Sequence, residues 1–495
     1  MMNIKEAKDY IKDTVNAYLK KDEFGDYRIP VEKQRPIFLI GAPGIGKTAI
    51  MGQIASELEI ALVSYSMTHH TRQSALGLPF IKEKTYGEAT VSVSEYTMSE
   101  IIASIYDTME ETGVTEGILF LDEINCVSET LYPSMLQFLQ YKVFGKHSVP
   151  QGWIIVTAGN PPEFNRAVRE FDVVTLDRMK VIPVDVDYPA WKAYAVKKGI
   201  HGAIQGFLES NRDSFYKVET TAFGKTYVTA RGWEDMSDMI KLYEEDGKAV
   251  NETLACQYIT DEKTVKDFCA YYDLYNKYKK QYDVEEIFEG KLSEKTKKTA
   301  SSAPVDERLA LTGLLVDRVR SRTLRILERY RMLTKIRPAV SALAGATDTE
   351  ASEKLDKFID AQKSSLARKV RAGSISPAEK TESKRIVRFY TDAKNALREG
   401  KTIKEIYNRE IGNLTGEGEK EAARIDCLFA GMDEMFGRDS NEVLVLVTEL
   451  TLSADTAEFL TLFSSKAYEE HNSVLLVGDR AKKLQEEIRK LDEIK

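Results

Sequence analysis

The sequence predicts an α/β fold: a parallel five-stranded sheet with helices on both faces, followed by a helical lid and an α-helical C-terminal domain. Three observations carry this expectation. Short apolar runs with little polar alternation recur at 36–40, 60–65, 117–121, 153–158 and 181–184. Such runs suit strands buried on both faces of a parallel sheet. Helical patterns separate them, as an α/β alternation requires. From about residue 187 the pattern turns helical, and beyond a polar stretch at 289–304 it is nearly all helical to Lys495.

Taken in order, residues 1–35 are polar and open on an amphipathic helix, with Ile4, Ala7, Ile11, Val15 and Leu19 at three-to-four spacing. The run at 181–184 contains Pro183, which cannot donate to a ladder and therefore suits a sheet edge. Residues 187–285 read as helical and tyrosine-rich. The polar stretch EGKLSEKTKKTASSAP at 289–304 reads as a linker. Breaks are expected at 372–377 and near Gly416–Gly418. The expected division is an N-terminal helix plus α/β core at 1–186, a lid at 187–288, a linker at 289–305 and a helical accessory domain at 306–495.

The chain has 495 residues, 43% hydrophobic and 30% charged, an ordinary globular balance. Its formal net charge of -8 does not suggest nucleic-acid binding by the chain as a whole. Four scattered cysteines, Cys126, Cys256, Cys269 and Cys427, show neither metal nor redox spacing and fit a reducing compartment. No apolar stretch reaches the roughly 18 residues a membrane span needs. The expected location is the cytoplasm.

The most informative segment is GAPGIGKT: Gly41, Ala42, Pro43, Gly44, Ile45, Gly46, Lys47 and Thr48, with Ala49 continuing into a helical pattern. It matches G-x-x-x-x-G-K-[ST] and lies between an apolar run and a helix, the context that distinguishes a phosphate loop from a chance match. Its glycines let backbone N–H groups turn toward phosphate oxygens, and the helix N-terminus adds a positive dipole end. Lys47 would bridge the β- and γ-phosphates, and the Thr48 hydroxyl would bind Mg²⁺.

A second run, Ile118-Leu119-Phe120-Leu121, delivers Asp122 and Glu123 at its end. Asp122 would orient Mg²⁺, and Glu123 would polarise the attacking water as general base. A third, starting at Trp153, ends at Asn160-Pro161, where the Asn160 amide could bond both the γ-phosphate and the lytic water. Arg178, before the fifth strand, could neutralise transition-state charge in a neighbouring subunit. Arg166 and Arg169 compete for that role. Arg231, in Thr229-Ala230-Arg231-Gly232-Trp233, could reach back to the γ-phosphate from a helix start.

In this order the motifs resemble those of the AAA+ ATPases, whose core is a P-loop ATPase fold. From about Arg35 to Trp233 the chain is similar to the MoxR and dynein-related branch. Leu121-Asp122-Glu123-Ile124-Asn125, Gly152 to Glu163 and Thr175-Leu176-Asp177-Arg178 carry the likeness. The interval from Ser64 to about Glu100 sits where this branch has an extra hairpin in helix 2. Met179 departs from the Phe that many relatives place after the finger arginine. The resemblance implies ATP and Mg²⁺ as ligands and a ring, usually hexameric. It further implies a chaperone-like remodelling role, often beside a partner with a von Willebrand A domain.

The remainder resembles no family. Arg308, Arg318, Arg320, Arg322, Arg325, Arg329 and Arg331 interleave with leucines between 306 and 331. They form either a solvated helix face or a surface for nucleic acid or an acidic partner. A second basic stretch at 363–388 could be a flexible loop. The apolar stretch 443–462 suits a packing surface. His69-His70 reads as structural rather than metal-binding. Two other functions stay open: a nucleic-acid motor or restriction-type subunit, and a nucleotide switch with little hydrolysis.

Overall fold

The computed structural model describes residues 2–164, 168–221, 224–282, 284–343 and 348–473. The strands in chain order are β1 (Ile37–Gly41), β2 (Ala61–Ser66), β3 (Pro79–Tyr86), β4 (Ala89–Tyr96), β5 (Gly117–Asp122), β6 (Val143–Phe144), β7 (His147–Ser148), β8 (Trp153–Gly159), β9 (Lys180–Val184), β10 (Lys217–Thr221) and β11 (Gly224–Val228). Five of them form one parallel sheet in the order β2-β5-β8-β1-β9. The chain divides into two compact units. The first comprises 1–191, 215–232 and 357–387; the second comprises 192–214, 233–356 and 388–495.

In the first unit the period-two geometry of a strand sends alternate residues to opposite faces. Ile118, Phe120, Ile154, Val156 and Ala158 enter one core with Ala7, Ile11 and Val15 of the helix Ile4–Tyr18 and with Met51 and Ile54 of the helix Lys47–Leu58. Leu119, Leu121, Trp153 and Ile155 enter the other, with Ile101, Ile102 and Ile105 of the helix Glu100–Thr112. The N-terminal amphipathic helix and the α/β core are therefore as expected.

Both sheet edges are covered by other parts of the same unit. Pro183 lies in the edge strand β9, as its missing donor requires. Met2 N donates to Pro183 O at 3.1 Å. At the opposite edge Leu62 N donates to Ala372 O at 2.8 Å. Ala372 follows the helix Asp348–Arg371, and the helix Pro377–Arg398 begins shortly after it. The Ser56 hydroxyl donates to Glu379 at 2.6 Å and Lys369 pairs with Glu59 at 3.4 Å, fixing this tip to the end of the helix Lys47–Leu58. The basic stretch 363–388 is thus two helices and a docked turn rather than a flexible loop.

Between β2 and the helix Glu100–Thr112, β3 and β4 form an antiparallel hairpin where the resemblance places one. Gly77, at φ +88°, precedes it; a side chain there would strike Thr97 O at 2.2 Å. The segment 187–285 is not purely helical. β10 and β11 pair antiparallel, and their β-branched residues Val218, Thr220, Thr226 and Val228 were the available signal.

In the second unit the helix Val305–Leu343 packs against the helices Ile403–Phe436, Asn441–Leu452 and Ala454–Leu462. Val443, Leu446, Val447, Leu450, Phe459 and Leu460 are buried, so the apolar stretch is a packing surface. Two expectations change. The linker contains the helix Glu294–Ser302, with Ala300 buried. The break at Gly416–Gly418 does not occur, because these glycines lie inside the continuous helix Ile403–Phe436.

Among the described residues, six of the seven arginines in the row, all but Arg325, pair with carboxylates of this unit. Arg308 pairs with Glu442 at 3.2 Å, Arg318 with Glu285, Arg320 with Glu449 at 2.8 Å, Arg322 with Glu285, Arg329 with Glu417 at 2.6 Å and Arg331 with Asp455 at 2.8 Å. The paired charges are offset by carboxylates that range from the buried Glu442 to the exposed Glu417.

Candidate nucleotide site at the ends of the parallel strands

β1 ends at Gly41, and the chain turns through 42–46 into the helix Lys47–Leu58. Gly44 and Gly46 take φ of +73° and +97°, values a side chain would strain. Gly41 is close-packed: a Cβ there would lie 2.5 Å from Val184 O. Ile45 anchors the loop in the core beneath it. Ala42 and Pro43 offer carbonyls, and Tyr216 donates to Pro43 O at 2.9 Å. Thr48 and Ala49 form the exposed first turn of the helix.

Lys47 is buried. Its ammonium donates to Gly41 O at 2.8 Å, Ala42 O at 2.7 Å and Asn160 Oδ1 at 2.9 Å, using all three of its donors. Burial pulls its pKa down to about 8; Asp122 and Glu123 oppose the shift and Arg231 reinforces it. Phosphate entering the loop must replace at least one of these acceptors.

β5 delivers the two carboxylates. Asp122 accepts the Thr48 hydroxyl at 2.7 Å through one oxygen and the Glu123 N–H at 2.9 Å through the other. Glu123 has φ +55°, a left-handed conformation uncommon outside glycine. It turns away from the strand line, and its Oε2 accepts the hydroxyls of Ser66 and Thr68, each at 3.1 Å. Ser66 ends β2, and Thr68 lies in the turn that follows. Sequence reasoning missed both, because an isolated hydroxyl after a strand has no distinctive spacing. β8 ends at Gly159 and places Asn160 against Lys47.

Arg231 opens the helix Ala230–Glu245, and its N–H donates to Gly44 O at 3.2 Å. The adjacent Thr229 lies against Gly44, 2.9 Å from where a Cβ would sit. Lys47, Thr48, Asp122, Glu123, Asn160 and Arg231 are thereby gathered around one loop. Arg178, at the end of the helix Val173–Asp177, is bonded to Gln140 rather than to that group. Arg169 pairs with Glu129 and lies over the Tyr132 ring at 5.7 Å. Arg166 is outside the described residues.

The Thr48 hydroxyl and the Asp122 carboxylate are hard oxygen donors next to a phosphate cradle, a set that fits Mg²⁺. Among the described residues no cluster of His, Cys, Asp or Glu suggests any other metal, and no helix is long and apolar enough to cross a membrane.

Comparison with protein families matches residues 37–176 to the AAA family, the ATPases associated with various cellular activities. The match runs from β1 into the helix that precedes Arg178, and so takes in the loop 41–48, both carboxylates and Asn160. A search of curated proteins found no match.

Proposed function

With an AAA ATPase domain at residues 37–176 as the premise, we propose that the chain is an ATP-hydrolysing ring ATPase of the MoxR and dynein-related branch, acting as a chaperone-like remodeller of proteins. The observation that carries the hydrolytic part is the convergence of Lys47, Thr48, Asp122, Glu123 and Asn160 on one loop, linked by bonds of 2.7–2.9 Å.

In this reading the backbone of 41–48 cradles the phosphates and Lys47 neutralises their charge. Thr48 and Asp122 would hold Mg²⁺, which when bound offsets charge on the phosphate oxygens. Glu123 takes a proton from the attacking water. Water oxygen bonds to the γ-phosphorus as the bond to the β–γ bridging oxygen breaks, leaving ADP and phosphate. Asn160 orients the water, and Arg231 registers the γ-phosphate. Arg178 serves a neighbouring subunit, since in its own chain it is occupied at Gln140. Arg169 suits the finger role less well, because Glu129 already holds it.

The remodelling part rests on the β3–β4 hairpin and on the Asp122-Glu123-Ile124-Asn125 and Asn160-Pro161-Pro162-Glu163 segments. The hairpin exposes Ile81, 79% accessible, together with Tyr86, apolar groups that suit protein contact. The von Willebrand A partner follows from the branch resemblance alone. A nucleic-acid motor is the weaker alternative, because most of the arginine row is paired with carboxylates of its own unit.

Arg178→Ala is expected to bind ATP yet not hydrolyse it. Glu123→Gln is expected to lose at least about 100-fold in turnover. Mixing the two inactive proteins should restore activity, since one supplies the arginine and the other the base. Wild-type turnover by Arg178→Ala would sink the shared-site reading, whereas wild-type turnover by Glu123→Gln would sink the assignment of the base.

A further inference from the structure

One buried polar residue beside the site has no part in the chemistry above. Asn125 lies in the short turn Ile124–Cys126, two residues after Glu123, and is 3% exposed. Its Nδ2 donates to the backbone carbonyl of Asn160 at 2.8 Å. That bond fixes the amide orientation and turns Oδ1 toward Gly159. Oδ1 has no hydrogen-bond partner among the described residues. A buried acceptor left unsatisfied is a cost that a merely space-filling position would shed.

The contact with Gly159 is close. A Cβ on Gly159 would lie 2.4 Å from Asn125 Oδ1, 2.7 Å from Cγ and 3.0 Å from Nδ2. The amide thus fills the space beside residue 159 and bonds the peptide of residue 160. The Asn160 side chain in turn accepts from Lys47 at 2.9 Å. Asn125 also anchors the next segment, its carbonyl accepting Arg169 N–H at 2.8 Å. One residue joins the turn carrying the base to the strand end carrying the water-orienting amide.

We propose that Asn125 is a positioning residue for ATP hydrolysis: it sets the Asn160 side chain by gripping the Asn160 peptide, and residue 159 is glycine because that grip leaves no room for a side chain. The proposal rests on the hydrolytic reading of the site. Asn125 acts only through Asn160. Its loss tilts the amide that orients water without removing any group that binds phosphate. The effect therefore falls on kcat rather than KM.

The test is a set of steady-state ATPase measurements with a parallel nucleotide-affinity titration, on the full chain. Asn125→Ala should lower kcat roughly 10- to 100-fold and leave KM and nucleotide affinity within about threefold, and its kcat loss should not exceed that of Asn160→Ala. Asn125→Asp keeps the volume and loses the donor, so it should match Asn125→Ala and serves where the smaller residue impairs folding. Asn125→Ala/Asn160→Ala should be no slower than Asn160→Ala, because one residue acts through the other. Gly159→Ala should be slow in the wild-type background and harmless in the Asn125→Ala background, where the space for its methyl has opened. Multiplicative loss in either double variant, or wild-type kcat in Asn125→Ala and Asn125→Asp, overturns the proposal and leaves the hydrolytic reading standing. Absence of turnover in the wild-type chain under all conditions overturns both.

Discussion

Lys47 is buried among three neutral acceptors, and that burial brings its pKa to about 8. The unfolded side chain titrates near 10.5. The folded state therefore gives up its proton first, so this group's contribution to stability rises with pH between those two values. Nucleotide has the opposite preference, since phosphate favours the ammonium. ATP affinity should fall as pH climbs through about 8, and binding at about pH 8.5 should take up a proton that binding at about pH 6.5 does not. Calorimetry in buffers of different ionisation enthalpy measures that uptake; equal proton counts at both pH values would contradict it. Much of this site was legible in the sequence, because the phosphate loop is eight consecutive residues and the carboxylates close an apolar run. Ser66, Thr68 and the grip of Asn125 on residue 160 were not. Each is an ordinary residue type whose partner lies 35 to 57 positions away.

At the scale of elements, the two glycines of the helix Ile403–Phe436 separate propensity from packing. Gly416 is exposed with open space where a Cβ would go, whereas at Gly418 a Cβ would lie 2.4 Å from the Phe463 ring. Gly416→Ala should stabilise by about 0.5–1 kcal/mol, the gain in helix propensity. Gly418→Ala has the same gain but forces the ring aside, at a cost of about 1–3 kcal/mol, so it should destabilise. Thermal unfolding of the two variants decides the point, and shifts of the same sign would refute the packing argument. The pair also shows why a helix break was expected there. Glycine spacing signals a turn locally, and the aromatic ring that requires Gly418 sits 45 positions further along. The β10–β11 hairpin was overlooked for the converse reason: its strands are five residues each and sit within strongly helical surroundings.

For the whole molecule, the distribution of charge bears on partners. All the arginines between 308 and 331 but Arg325 are matched to carboxylates drawn from 285 to 458. With a net charge of -8, the chain has little reason to accumulate on a polyanion. Duplex DNA at physiological salt should therefore leave the ATPase rate within about twofold. Strong stimulation would instead favour the motor alternative.

The α/β order of the first unit, the GAPGIGKT loop with its acidic and amide neighbours, and the edge position of the proline strand were legible in the chain alone. All of these follow from local period, local spacing or the chemistry of one residue. Tertiary structure alone decided that Ala372 covers the β2 edge, that the arginine row faces carboxylates, and that Asn125 and Gly159 fit together behind Asn160. These are contacts between segments far apart in the chain. Neither hydrophobic period nor turn chemistry specifies them, because they depend on which surfaces the completed core brings within hydrogen-bonding distance.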